Sequence, residues 1–221
     1  MTTAAGVRQD GAVATRTSWK PYDEDDYEAA SAELKKRFRT WSGEKGVAVD
    51  PEAPEAPLHY KWGYLDGHLT RWRCSDLDEV YLELYPAKVI VEEDELDDVL
   101  EEASAFVSFL AETGLLDEES DPKDVLLEHL WAIEGRFRTN MADPGRHSFG
   151  KRLWSQALAE GVSLDDQAAV DTFIARFNAR SRKERDAVLG PTLSARQPQG
   201  RFTPKGTPPR PSSAKRKKRR R

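Results

Sequence analysis

VIVEEDELDDVLEEASAFVSFLAETG, residues 89–114, is the stretch whose periodicity decides the fold. Leu96, Val99, Leu100, Ala103, Phe106, Val107 and Leu110 recur at three- and four-residue intervals, which lines one side of an α-helix with apolar groups. Carboxylates crowd its start, where the helix dipole favours them, and Gly114 stands where a left-handed cap would end it.

The same signature recurs on either side. Residues 120–141, SDPKDVLLEHLWAIEGRFRTNM, open with Asp121 as cap and Pro122 at the first helical position, and carry the stripe Leu126, Leu130, Ile133, Phe137, Met141. Residues 143–161 repeat the cap-then-proline opening as Asp143-Pro144 and are expected to bury Phe149, Leu153, Trp154 and Ala157. Residues 162–180 bring Val170, Phe173, Ile174 and Phe177 to one side, and Ser181 with Glu184 makes a capping box for a last short helix ending at Gly190-Pro191. Upstream, Ser75 with Asp78 caps a helix whose face is Leu77, Val80, Tyr81, Leu84 and Tyr85, closed by Pro86. A first helix runs from about Asp23 with the stripe Tyr27, Ala30, Leu34, Phe38, Trp41, stopped by Gly43 and Gly46.

The segment between these is read less regularly. Residues 43–57 form a proline-rich linker. Around 58–73, Asp66-Gly67 is a hairpin-turn dipeptide flanked by aromatics, so either a short hairpin (59–64 with 69–73) or an irregular aromatic loop packed on the helices fits. No βαβ pattern and no fixed-period repeat occurs. The expectation is an all-α globular bundle of six or seven short helices over residues 19–191, preceded by a flexible leader (1–18) and followed by a disordered basic tail (192–221).

The stretches HLTRWRCSDLDEVYLELYPAKV (68–89), ASAFVSFLAETGLL (103–116) and the run from Asn140 to Pro191 carry a family likeness, above all in DEVYLELYP at 78–86 and FNAR at 177–180. Over roughly 66–191 the chain resembles an uncharacterised family of helical proteins of actinobacteria. That resemblance implies a bacterial cytosolic setting and transfers no activity or site residue.

Charge is segregated along the chain. The formal net charge is −5, yet residues 196–221 hold eleven of the 34 Lys and Arg and none of the 39 Asp and Glu. The remaining chain therefore sets 23 cations against 39 anions. The tail ends in seven consecutive cations: Lys215, Arg216, Lys217, Lys218, Arg219, Arg220 and Arg221. Such a run displaces condensed counterions from nucleic acid, which makes these seven the candidate nucleic-acid-binding residues, with RNA, DNA or the ribosome as partner. The acidic body would repel the phosphate backbone and can hold the tail until a stronger polyanion competes. A protein partner bound by the helical body is the first rival reading, and an enzyme whose site these spacing rules do not reveal is the second.

Other chemistry finds little support. Cys74 is the single cysteine, so an intramolecular disulfide and a four-cysteine zinc site are both excluded. His59, His68, His129 and His147 show no HExxH-type spacing, and no cofactor or metal is expected. Cys74, at a helix start with His68 nearby, is a conceivable nucleophile but reads better as a packed residue. Neither a phosphate-binding glycine loop nor a GxSxG elbow is present, so no catalytic residue is assigned. The acidic runs at 23–26, 92–102 and 117–121 read as solvated helix starts. Tyr60, Trp62, Tyr64 and Trp72, interleaved with Lys61, Arg71 and Arg73, could stack bases or equally cover the core. No stretch has the apolar length of a signal peptide or membrane span, so the expected location is cytoplasmic with no membrane partner.

Overall fold

The computed structural model describes residues 19–190, and within them the fold is all-α with no strand. Eight helices follow in order: α1 (Glu24–Lys45), α2 (Glu55–Gly63), α3 (residues 74–88), α4 (Leu96–Glu112), α5 (Lys123–Ala142), α6 (Phe149–Ala159), α7 (Gln167–Ala179) and α8 (Arg182–Leu189). A 3-10 turn, Glu93–Glu95, leads into α4. No described helix is long and apolar enough to cross a membrane.

The apolar stripes build the core. On α5 all five residues of the expected stripe are buried. On α4 the buried set includes Ala105 and Phe109 as well as the expected face, of which Val99 alone is only half-buried, because this helix packs against both α1 and α5 and so has two covered sides. Phe38 of α1 meets Phe106 and Phe109 of α4 edge-on, at 5.9 and 5.6 Å between ring centres. Tyr81 and Tyr85 of α3 meet Phe137 of α5 at 6.3 and 6.4 Å.

Of the two readings offered for 58–73, the hairpin does not form, and residues 64–73 follow the irregular course of the other. Residues 55–63 wind instead into α2, the helix beyond the six or seven expected, and this also shortens the linker read over 43–57. Pro54 precedes the helix and Pro57 sits in its first turn, where a missing N–H costs nothing. Gly67 does adopt the left-handed conformation (φ 76°), but its N–H donates back to the Lys61 carbonyl at 3.0 Å. The Asp-Gly pair therefore closes a helix rather than reversing a strand. Likewise α1 passes Gly43 and ends at Gly46 (φ 66°).

Several caps differ from the local expectation because a remote group does the work. The Asp76 carboxylate, not Ser75, opens α3 by accepting the Arg73 N–H (3.0 Å), while Asp121 accepts the Cys74 N–H (2.8 Å). Asp121 thus caps α3 rather than its own helix. Ser148, not Asp143, caps α6, accepting from the Lys151 N–H at 3.2 Å. Phe149, one residue further on, is 61% exposed and not buried as its stripe suggested. The capping box of Ser181 and Glu184 forms as read.

Pro86 does not end its helix either. α3 starts as an α-turn (Cys74–Leu77), widens to a π-helix (Asp78–Leu84) and returns to α over Tyr85–Lys88. A proline at 86 cannot donate to the Leu82 carbonyl, four residues back. That carbonyl instead accepts the Asn140 Nδ2–H at 2.9 Å and the Arg146 Nη1–H at 3.4 Å. The wider winding turns Leu82 inward too, so Val80, Tyr81, Leu82, Leu84 and Tyr85 are all buried.

A second, smaller cluster of Leu153, Ala157, Phe173 and Phe177 joins α6 and α7, with Val188 and Leu189 of α8 against it. It is tied to the main core through the end of α3. The Ser148 N–H donates to the Ala87 carbonyl at 2.9 Å, and Lys151 Nζ to the Pro86 carbonyl at 3.0 Å. Burial pushes the Lys151 ammonium down to about 8.

The centre of the main body is a buried ion cluster. Lys61 of α2 is 0% exposed; its ammonium lies 2.6 Å from Asp76, 3.2 Å from Asp66 and 5.2 Å above the Trp72 ring. Removing one partner of such a cluster leaves an uncompensated buried charge, which costs about 3–5 kcal/mol. Asp76→Ala, which leaves the buried Lys61 ammonium with Asp66 alone, is therefore expected to lower unfolding stability by about that amount, whereas Lys35→Ala, at solvent-accessible pairs, costs less than about 1 kcal/mol. Urea denaturation of the two variants, followed by circular dichroism, tests the contrast.

Candidate functional site

Most of the aromatic, basic segment that the sequence offered for base stacking is engaged within the fold, with Tyr64 and Arg73 left exposed. Trp72 is 1% exposed, and its indole N–H donates to the Leu69 carbonyl at 3.0 Å. Lys61 is buried against its ring face. Trp62 stacks on Tyr27 of α1 at 4.5 Å, and Lys88 sits over the Tyr64 ring at 4.7 Å. Arg71 is fixed between Asp66 (2.9 Å) and Glu119 (2.5 Å).

The histidines and the cysteine also have structural partners. His129 Nε2 lies 3.1 Å from Asp78, and His147 Nε2 lies 3.1 Å from the Met141 carbonyl. Burial pushes the imidazoles of His68 and His147 below their usual value. The Cys74 thiol is pushed up, by burial first and then by Asp121 and Asp78, which is opposite to the activation a nucleophilic thiol needs. Among the described residues no three His, Cys, Asp or Glu side chains converge to hold a metal ion. The seven terminal cations, Lys215 to Arg221, lie outside the described residues.

The feature that the structure assembles is an anionic groove of about 640 Å³. One wall comes from residues 50–59, the loop before α2 and the first half of that helix. The other comes from residues 89–102, the approach to α4 and its first two turns, and Tyr60 and Tyr85 form the floor. No Lys or Arg lines it; its one basic residue is His59. Glu95, Asp98 and Glu102 project from successive turns of one helix face, and Asp50 faces them across the groove. The Asp50 N–H donates to Glu102 at 3.2 Å, which fixes that spacing.

The six carboxylates divide into two groups. Glu52 and Glu55 are already held by Lys35, at 2.9 and 3.0 Å, and Glu52 also by Arg39. Asp50, Glu95, Asp98 and Glu102 have no ion-pair partner among the described residues. Burial first, and then the adjacent Asp50, Asp98 and Glu95, push the Glu102 carboxyl above its usual range, against the pull of the Asp50 N–H. Tyr60 and Tyr85 are each 7% exposed, and neither hydroxyl has a hydrogen-bond partner among the described residues. Burial, then the neighbouring Tyr64, pushes the Tyr60 phenol up to about 12; burial drives that of Tyr85 well above its ordinary value. At neutral pH the groove therefore offers carboxylate acceptors over a floor of un-ionised phenols, chemistry suited to organic cations.

The 92–102 run was read from sequence as a solvated helix start. Glu95, Asp98 and Glu102 do carry the helical spacing that puts them on one face, beside Val99. Nothing local indicates Asp50 or the two tyrosines, which arrive from distant segments.

No protein-family model, curated protein or solved structure matches this chain.

The raised Glu102 carboxyl has a stability consequence. Below the unfolded carboxylate value of about 4.3 both states are protonated and there is no penalty. As pH rises, the folded state resists ionisation that the unfolded state accepts freely, so the penalty is full above the raised folded value. Glu102→Gln keeps an acceptor for the Asp50 N–H and removes the penalty. The variant is expected to unfold at higher urea than the parent at pH 7, with the difference fading toward pH 4; an equal difference at both pH values would refute this assignment.

Proposed function

We propose that this is a non-enzymatic cytoplasmic protein that makes sequence-independent contacts with nucleic acid or the ribosome through Lys215, Arg216, Lys217, Lys218, Arg219, Arg220 and Arg221. The observation that carries this reading is the segregation of charge, with eleven cations and no acid in residues 196–221 attached to a body in which acids outnumber bases. Two structural facts support it. The histidine, cysteine and aromatic residues that could have served catalysis or base stacking within the body are engaged in packing and capping. The groove between residues 50–59 and 89–102 is anionic and so unsuited to phosphate, whereas the terminal cations suit a polyanion.

The reading is quantitative. Neutralising up to seven phosphates gives a log–log salt slope of about −5 to −6, from about −0.7 per contact on single strands and −0.9 on duplex. The full chain is expected to be retained on immobilised polynucleotide at low salt with a slope of that order, and a chain ending at residue 195 is expected to lose retention. Retention that survives the deletion would move the contact to the body. No retention at about 0.1 M salt would favour the rival, a protein adaptor acting through its helical body.

A further inference from the structure

We propose that the anionic groove between residues 50–59 and 89–102 is the docking site for the chain's own terminal cations, residues 215–221, and that this contact competes with polyanions for them. The consequence rests on the nucleic-acid reading above; the docking itself does not.

Four observations point to this occupant. First, Asp50, Glu95, Asp98 and Glu102 face the groove without an ion-pair partner among the described residues, while Glu52 and Glu55 at its rim are already neutralised. Second, the hydroxyls of Tyr60 and Tyr85, on side chains more than nine-tenths buried, open to the groove without a hydrogen-bond partner among the described residues. Each phenol oxygen can accept from an ammonium or guanidinium. Third, the acids are spread rather than focused. Glu95, Asp98 and Glu102 extend over roughly 10 Å along the 3-10 turn and the start of α4 at about 1.5 Å per residue, and among the described residues no three groups converge to hold a metal ion. Alternate side chains of an extended segment stand about 6.6 Å apart, so two or three consecutive outward cations match that spread where a single ion would not. Fourth, the chain can reach. The roughly 25 residues between 190 and 215 span up to about 85 Å extended, whereas a folded body of this size is roughly 40 Å across.

Charge supplies the reason for occupancy. Four unpaired carboxylates in one concavity repel one another, and burial and that repulsion together raise the Glu102 carboxyl. A bound cation removes the repulsion and replaces lost hydration with direct contacts. A phosphate polymer offers the same cations more charge, so it wins when present. The body thereby sets a threshold below which weak or short polyanions are not bound.

The test uses the full chain. At low salt and high dilution, carbodiimide couples carboxylates to lysine amines that touch them. Chymotrypsin, cutting after Phe202, releases a fragment 203–221 whose lysines are Lys205, Lys215, Lys217 and Lys218, and a Lys205→Arg background confines the coupling to the last three. Docking predicts that this fragment is joined chiefly to Glu95, Asp98, Glu102 or Asp50, independently of protein concentration, and that 1 M salt removes the product. Coupling spread evenly over the other acidic segments, 23–28 and 117–124, or no coupling, overturns the proposal. A second measurement controls for net charge. Glu95→Gln, Asp98→Asn and Glu102→Gln together are expected to raise low-salt polynucleotide affinity at least threefold, with circular dichroism unchanged. Removing the same charge from α1, through Glu24→Gln, Asp25→Asn and Glu28→Gln, is expected to change it less than twofold; equal gains from both sets would refute docking in the groove. The two readings fail separately. Groove cross-links that excess polynucleotide cannot displace sustain the docking and sink the nucleic-acid contact. Tail-dependent retention on polynucleotide with cross-links elsewhere does the reverse.

Discussion

Lys61 carries its charge where water does not reach, and the surrounding segments are arranged to make that tolerable. An ammonium offers three donors. Asp76 and Asp66 take two directions at 2.6 and 3.2 Å, and the face of Trp72 lies below. Each of those partners is itself held. Asp76 accepts the Arg73 N–H, Asp66 accepts the His68 N–H and binds Arg71, and the Trp72 backbone donates its N–H to the Ser120 hydroxyl and accepts the Asp121 N–H at its carbonyl. A buried pair of this kind is weak evidence for net stability, since a well-packed apolar replacement can do as well. What it does confer is register. With the ammonium fixed, α2 has one rotation and one height relative to the start of α3. Tyr60, one residue from Lys61, is then directed to the floor of the groove.

The other half of that floor depends on a second constraint. Tyr85 lies where the π-helical stretch of α3 returns to α winding, just before Pro86. The π-helical turn and the side chains of Asn140 and Arg146 together absorb the missing donor at the Leu82 carbonyl. A π segment widens the helix and brings more consecutive residues onto the buried side. The same stretch then supplies the Ala87 and Pro86 carbonyls that anchor α6. One irregular helix thus faces the main core, the groove and the second cluster, which accounts for the dense run of large residues at 80–85.

These dependencies mark where local sequence reasoning succeeds and where it stops. The stripes of α1, α4 and α5 were legible because amphipathic periodicity reports burial directly, and the caps at Gly46, Gly114 and Ser181 because each is a property of one turn. The start of α3 was misread because its cap comes from Asp121, 47 residues away. α2 was misread because Asp-Gly and nearby aromatics are a hairpin signal only when strands flank them; three prolines and a buried lysine changed its context. Phe109 and Leu82 were missed because one helix is covered on two sides and the other is not wound at 3.6 residues per turn. Of the groove, only the spacing of Glu95, Asp98 and Glu102 was visible. Its opposite wall and floor require knowing that 50–60 and 85 fold against them.

The location of the unpaired acids follows from the same architecture. Carboxylates at the start of α4 are favoured by the helix dipole whatever lies opposite, so Glu95 and Asp98 are inexpensive there. Glu102 is different, since it sits two turns in, beyond the reach of that dipole, and next to Asp50. A fold selected only for stability has simple remedies at this point, a glutamine at 102 or a lysine at 50, and uses neither, although Lys35 and Arg39 neutralise the rim one residue further along. Retaining mutual repulsion in a concavity floored by two unpartnered phenols makes physical sense when something cationic completes it. The chain supplies such a group at its own end, and attraction over a Debye length of about 8 Å is enough to favour the encounter without making it irreversible. Under the docking proposed above, acidic body and basic tail are two halves of one electrostatic balance, set by how many carboxylates the groove leaves free.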